Sequence, residues 1–387
     1  MIKKGFSNTM KENHSFIELK SRYYGCLLGA AIADTCGYTM EQWHYYREYG
    51  EFPEKFMDDI PEDFLTNGVQ SPHIDERTGM LMLSDDTQMA LFTMDGLEWA
   101  YIRMAHREIG TYAASGGYMS LLRWYYTQTG VLADEYLIHK HEHEPVALET
   151  IGVKTILNYE ELYSPRNPSE QMLSALSTMM MGTMQEPLND YNDSSALTRV
   201  APVGFFLHAT PEVAFEVAAS LAATTHGNPS AYLAAGCYAY MIAQVCNGVD
   251  LDQAGYQALG CLNQYNYIEG VQEALQYALH MAECNVPPES ALAELNPNEY
   301  HPEAGIQGAE KILATGVYCA LMGEDYAKAM ALSANCRGMS SSIAFVTGSF
   351  VGALLGDGCI PEGWSDHLEL KEMLLTWADH LYRLKEV

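Results

Sequence analysis

Positive charge is what this sequence has least of. Against 50 aspartates and glutamates stand 21 lysines and arginines, a formal net charge of −29 over 387 residues. A surface that acidic repels nucleic acid and anionic membranes and favours basic partners. The few bases are unevenly spread: residues 1–22 carry Lys3, Lys4, Lys11, Lys20 and Arg22 against only Glu12 and Glu18. Paired cysteines are missing too. The nine thiols are odd in number, lie scattered from Cys26 to Cys359 and never fall in CxxC spacing. That excludes a disulfide framework and predicts a reduced, cytoplasmic setting. No apolar run reaches the ~18 residues that a membrane span needs, and the first residues lack the apolar core of a secretory signal. Strand signals are few, and internal repeats and low-complexity stretches are absent.

What the sequence does hold is apolar residues at helical spacing, within a hydrophobic content of 48% that can build a sizeable core. Residues 1–20 are polar and patternless and read as an N-terminal arm; residues 21–387 read as one helical domain. Phe16 to Ala33 has helical periodicity, with Gly25 and Gly29 four apart, as where another helix approaches closely. Asp34-Thr35-Cys36-Gly37 reads as that helix's end, by its glycine. Residues 44–79 read as an irregular loop. Helical patterns then follow one another: Tyr112–Tyr126, the Met-rich 169–184, Pro211–Thr224, Ala231–Val245, two within 250–283, one opened by Gly305–Gly308 and running through Leu321, and Tyr326–Ala334. Asn335–Ser342 breaks the pattern, Ile343–Leu355 resumes it, and a last helix covers about Leu368–Leu384. The succession predicts an all-α fold in a single domain. Residues 130–168 look irregular, and His139, His141 and His143 within them alternate as a solvated loop or a transition-metal site would.

Chemistry concentrates at Ser84-Asp85-Asp86-Thr87. Two carboxylates between two hydroxyls are the hard oxygen donors that Mg²⁺ or Ca²⁺ binds. The same residues open an apolar helical pattern, where acids and hydroxyls cap free N–H groups. Taken alone, the stretch supports both readings.

Other motifs follow in order along the chain: Gly25-Cys-Leu-Leu-Gly29 through Asp34 and Gly37 with Glu41; Ser84 to Ala90; Gly117-Tyr118 with Trp124 and Gln128; Arg199-Val-Ala-Pro202-Val-Gly204; Thr225-His226-Gly227; Gly308-Ala-Glu310; and Gly348–Gly356 with Ile360-Pro361. Together they resemble the ADP-ribosylglycohydrolase family over about residues 22–365. The resemblance implies a single orthogonal multi-helix domain of that family's type, with two divalent ions, usually Mg²⁺, in a central cleft. In such a site the ions orient ribose hydroxyls and a water and stabilise charge at the breaking bond. By the same resemblance Ser84, Asp85 and Asp86 match half of the metal ligands, and Glu41 matches the loop glutamate near the scissile bond. Gly117, Tyr118 and His226 match residues lining an ADP-ribose pocket, where Ser194 and Ser195 replace the family's usual Asn and Gly.

The other half of the ligand set departs from the family. Gly338-Met339-Ser340-Ser341-Ser342 aligns with Gly-Asp-(Ser/Thr)-Asp-(Ser/Thr), so Met339 and Ser341 stand where the family has aspartates. A thioether is a poor ligand for Mg²⁺, and Arg337 adds positive charge beside the motif. Ser341 and Ser342 keep oxygens that support at most one weakly held ion. Two functions follow from the resemblance. One is a pseudoenzyme that serves as an immunity protein or antitoxin, binding and blocking a basic ADP-ribosyltransferase toxin through the arm (residues 1–20) and the rim of the cleft, with ADP-ribose as a second candidate ligand. The other is a working Mg²⁺-dependent hydrolase that removes ADP-ribose from protein or nucleic acid.

Overall fold

A computed structural model describes residues 17–46, 74–75, 78–107, 113–133, 156–295, 308–336 and 338–384. The arm up to residue 16, the histidines at 139–143 and Arg337 lie outside them. Helix α1 (Leu19–Tyr46) is followed by a two-residue hairpin pairing β1 (Ile74–Asp75) with β2 (Met80–Leu81). Then come α2 (Asp85–Arg107), α3 (Ala113–Thr129), α4 (Glu170–Ser177), α5 (Ser195–Thr198), α6 (Ala201–Phe206), α7 (Pro211–Ala223) and α8 (Pro229–Cys246). The remainder is α9 (Leu251–Leu262), α10 (Glu269–Glu283), α11 (Pro288–Leu295), α12 (Ala309–Met322), α13 (Tyr326–Ala334), α14 (Ser340–Leu355) and α15 (Lys371–Arg383). The fold is all-α, as the apolar spacing predicts.

Helix α14 is the axis of the molecule. Every residue from Ser340 to Leu354 is buried, which a helix apolar on all sides requires. It lies along α1, with α12 and α13 against its other faces. Small residues let the two axes approach: a Cβ on Gly29 would stand 2.6 Å from the Gly348 carbonyl oxygen, and Gly25 meets Gly352 in the same way. The i, i+4 glycines therefore do what their spacing predicts. Arg22, itself buried, donates to the carbonyls of Ala353 (2.9 Å) and Leu354 (3.0 Å) at the end of α14 and of Val245 (3.2 Å) near the end of α8. One cation thus satisfies orphan carbonyls at two helix C-termini.

Several boundaries differ from the sequence expectation. α1 does not stop at Gly37 but runs on to Tyr46. Gly37 sits where the chain touches Ser340 of α14, and a Cβ there would press on the Ser340 backbone. An interior glycine costs a helix about 1 kcal/mol, which this packing offsets. α14 starts at Ser340, so all three serines of the break lie in its first turn. The Met-rich segment is helical only over Glu170–Ser177, and Met179 then takes a left-handed conformation at φ 53°. The final helix starts at Lys371 rather than Leu368, because Leu368 bridges to Leu81.

Candidate functional site

The two motifs separated by about 250 residues meet. Ser342 Oγ donates to Asp86 Oδ2 at 2.7 Å, and Thr198 Oγ1 of α5 donates to Asp86 Oδ1 at 2.6 Å. Ser341 donates to Glu41 Oε2 from both its backbone N–H (3.2 Å) and its hydroxyl (2.8 Å). Glu41 is thus brought to the serine motif, although it projects from the last turns of α1 and not from a loop. Met339, the residue before α14, is partly exposed.

Asp34 organises the Ser84 turn. Fully buried on α1, it accepts from Ser84 Oγ (2.5 Å), from the Ser84 backbone N–H (3.0 Å) and from Thr87 Oγ1 (2.6 Å). Ser84 Oγ in turn accepts from the Asp86 N–H at 3.1 Å, so the capping reading of this serine holds in full. On the outer side the turn is strapped by Glu369, which accepts from the Leu83 N–H (3.1 Å) and from Arg166 (2.9 Å). Gln88, one turn into α2, gathers Trp124 Nε1 and Gln128 Nε2 on its side-chain oxygen, each at 3.3 Å. The residues flanking Gly117-Tyr118 in sequence therefore brace the acidic motif.

A second polar cluster adjoins it. His226 Nε2 lies 3.0 Å from Asp193 Oδ1, and its Nδ1 lies 2.9 Å from Thr225 Oγ1. Asp193 also accepts from the Ser195 N–H (2.9 Å) and hydroxyl (2.5 Å), and from Ser169 Oγ. Ser195 Oγ approaches His226 at 3.3 Å, on the ring nitrogen that Asp193 already faces. A nucleophilic triad needs the acid and the nucleophile on opposite nitrogens of the imidazole. This cluster instead fixes the 189–198 segment. Ser194 is buried, and its carbonyl accepts from Thr198 Oγ1 at 3.2 Å. Gly117 lets α3 approach its neighbours: a Cβ there would stand 2.5 Å from Leu221 Cδ1 of α7. The Tyr118 hydroxyl is buried and has no hydrogen-bond partner among the described residues.

Five carboxylates are thus packed into one interior region. Burial, reinforced by the charges of Asp86, Asp34, Glu41 and Asp193, pushes Asp85 well above the ordinary carboxylate range. Burial lifts Asp34 to about 8, with the Asp86 charge adding and the Ser84 and Thr87 hydroxyls opposing. Glu41 rises to about 7 and Asp86 to about 6, burial leading in each case and the serine and threonine hydroxyls opposing. Burial works the same way on Asp193, but His226 and the hydroxyls of Ser169 and Ser195 outweigh it and hold that carboxyl well below its usual range. Asp34, Thr87, Thr198 and Asp193 have roles here that sequence motifs alone do not assign. Asp34 and Thr198 are polar side chains inside otherwise apolar helical runs, the one signal of their role, whereas Thr87 and Asp193 sit in polar stretches that give none.

Comparison with known proteins bears on this geometry. A profile of the family described as ADP-ribosylglycohydrolase matches residues 16–387. The chain belongs to the ADP-ribosylglycohydrolase family. An uncharacterized protein of Archaeoglobus fulgidus is similar at 26% identity over 213 residues, which is 54% of this chain and 65% of that relative's length. A solved structure described as an ADP-ribosylglycohydrolase-related protein complex shares the fold, with a TM-score of 0.56 at 20% identity over 95% of this chain and 99% of that one.

The paired divalent ions that this family implies do not fit the donors present. Both Asp86 oxygens are taken by hydroxyls, Glu41 is bound by Ser341, and Met339 brings a thioether. Among the described residues, no three His, Cys, Asp or Glu side chains are arranged to hold an ion.

Proposed function

We propose that this family member acts by binding and not by two-ion hydrolysis, as an immunity protein or antitoxin that engages and blocks an ADP-ribosyltransferase toxin. The observation carrying this reading is the pair of hydroxyl–carboxylate contacts, Ser342 to Asp86 and Ser341 to Glu41, in the segment where the family has metal-binding aspartates. Hydroxyls that donate into buried carboxylates stabilise them without a cation. The acidic body supports a basic partner through complementary charge. The N-terminal arm adds Phe6, Met10 and Phe16 as anchors that can order on a partner.

The test is protection of a target from a purified transferase. Inhibition should saturate at one protein per toxin, persist in EDTA and survive Asp85→Ala, while deletion of residues 2–16 weakens it. Protection that turns over, needs Mg²⁺ and is lost in Asp85→Ala would sink the reading.

One observation favours the alternative of a Mg²⁺-dependent ADP-ribosyl hydrolase. Asp85 faces four other carboxylates, and among the described residues nothing donates to its side chain. A single cation would relieve that crowding. Calorimetric titration with Mg²⁺ separates the two, since tight binding of two ions is incompatible with the binding-only function.

A further inference from the structure

Between Arg199 and Lys311 the chain has no lysine or arginine but twelve aspartates and glutamates. Those residues include α9, α10 and α11, whose outer sides form one connected face. Tyr256 of α9 reaches Glu283 of α10 at 3.4 Å, and Tyr277 of α10 donates to Glu294 of α11. Tyr256 is 51% exposed, Tyr267 73% and Tyr277 38%. A groove of about 570 Å³ opens in this face where α10, α11 and α12 meet, lined in part by Glu273, Tyr277, His280, Glu294 and Lys311. Exposed tyrosines are enriched at protein contact surfaces, and the carboxylates beside them, which form no ion pair among the described residues, favour a partner of opposite charge.

We infer that this groove is a docking surface for a lysine- or arginine-rich segment of a partner protein. Guanidinium groups pair with carboxylates through two parallel hydrogen bonds and stack on aromatic rings. Glu273, Glu294 and Tyr277 supply both kinds of contact within one groove. Among the described residues Lys311 is the one lysine or arginine in the lining, and it sits at the α12 side. The charge of the face selects a basic occupant and repels nucleic acid and anionic lipid. None of the carboxylates that surround Asp85 takes part, so the inference goes beyond the function proposed above and stands or falls separately.

The experiment measures fluorescence anisotropy of labelled nona-arginine against the full chain. Wild-type protein should bind at roughly 50 mM NaCl and lose affinity at roughly 300 mM as surface charges are screened. Glu273→Lys with Glu294→Lys should weaken binding by about tenfold or more, and Tyr277→Ala by several-fold, because like charges then face one another or the ring is gone. A matched reversal at exposed acids elsewhere, Glu362→Lys with Glu372→Lys, should change affinity less than about twofold, the change expected of distant surface charge. Circular dichroism melts confirm that each variant folds. Equal losses from both reversals would make the binding a general effect of net charge and overturn the inference, as would no binding at low salt. A dimer seen by sedimentation and dispersed by the groove reversal would assign the groove to a second copy of this chain. Tighter peptide binding after residues 297–306 are replaced by a Gly-Ser linker of equal length would assign it to that segment. Either result overturns the proposal.

Discussion

Asp85 and its neighbours make the folded state a better proton binder than the unfolded one. Asp34, Glu41, Asp85 and Asp86 are all held above the ordinary carboxylate range, at about 8, about 7, well raised and about 6. Stability therefore falls as pH rises from about 4, where unfolded carboxyls titrate, through about 8. Asp193 is shifted the other way, and its contribution is lost only in stronger acid. Asp85→Asn abolishes this titration, and with it the cost of burying a carboxyl that ionises freely in the unfolded chain, so it should melt above wild type at pH 8, with the difference shrinking towards pH 4.5. A pH-independent difference would mean that Asp85 is not charge-strained. The serine motif gives a companion prediction. Met339→Asp with Ser341→Asp returns two carboxylates, one to the N-cap and one to the first turn of α14, and should tighten Mg²⁺ binding by about tenfold or more. Unchanged calorimetric titrations would show that these are not the ligand positions.

At the scale of elements, the packing of α1 on α14 decides where the site residues fall. Asp34 and Glu41 come from α1, Ser341 and Ser342 from α14, and the glycine contacts set the distance between them. Gly29→Val should therefore destabilise by about 1–3 kcal/mol or more, since the added atoms overlap backbone that cannot yield. Gly260→Ala on α9 is the contrast. A Cβ there meets nothing within 4 Å, so helix propensity should stabilise by up to about 1 kcal/mol. Urea midpoints read both. Equal effects would mean that the two helices are not held by close backbone approach.

For the whole molecule, net charge is the dominant long-range term. With −29 charges on 387 residues, self-repulsion opposes compaction, and salt screens it over a Debye length of about 10 Å at 0.1 M. The melting temperature at pH 7.5 should rise by several degrees between roughly 20 and 300 mM NaCl. A flat response would mean that ion pairs such as Arg166–Glu369 offset the repulsion. Among the described residues no helix is long and apolar enough to cross a membrane, and all nine cysteines are free.

Local sequence determined the helices, because a repeat near 3.6 and flanking breakers such as Gly308 and the Asp325 cap act over a few residues. It also determined the family, through short motifs in fixed order. It could not determine that α1 continues past Gly37, since a glycine that ends a helix and one that admits a neighbouring helix look alike until the neighbour is placed. Nor could it show that Asp34 holds Ser84 and Thr87, or that Thr198 and Ser342 hold Asp86. Those contacts join residues 50 to 256 positions apart. Only tertiary packing brings them together. The depth of burial that raises the pKa of Asp85 is likewise a property of the assembled helices and not of any segment.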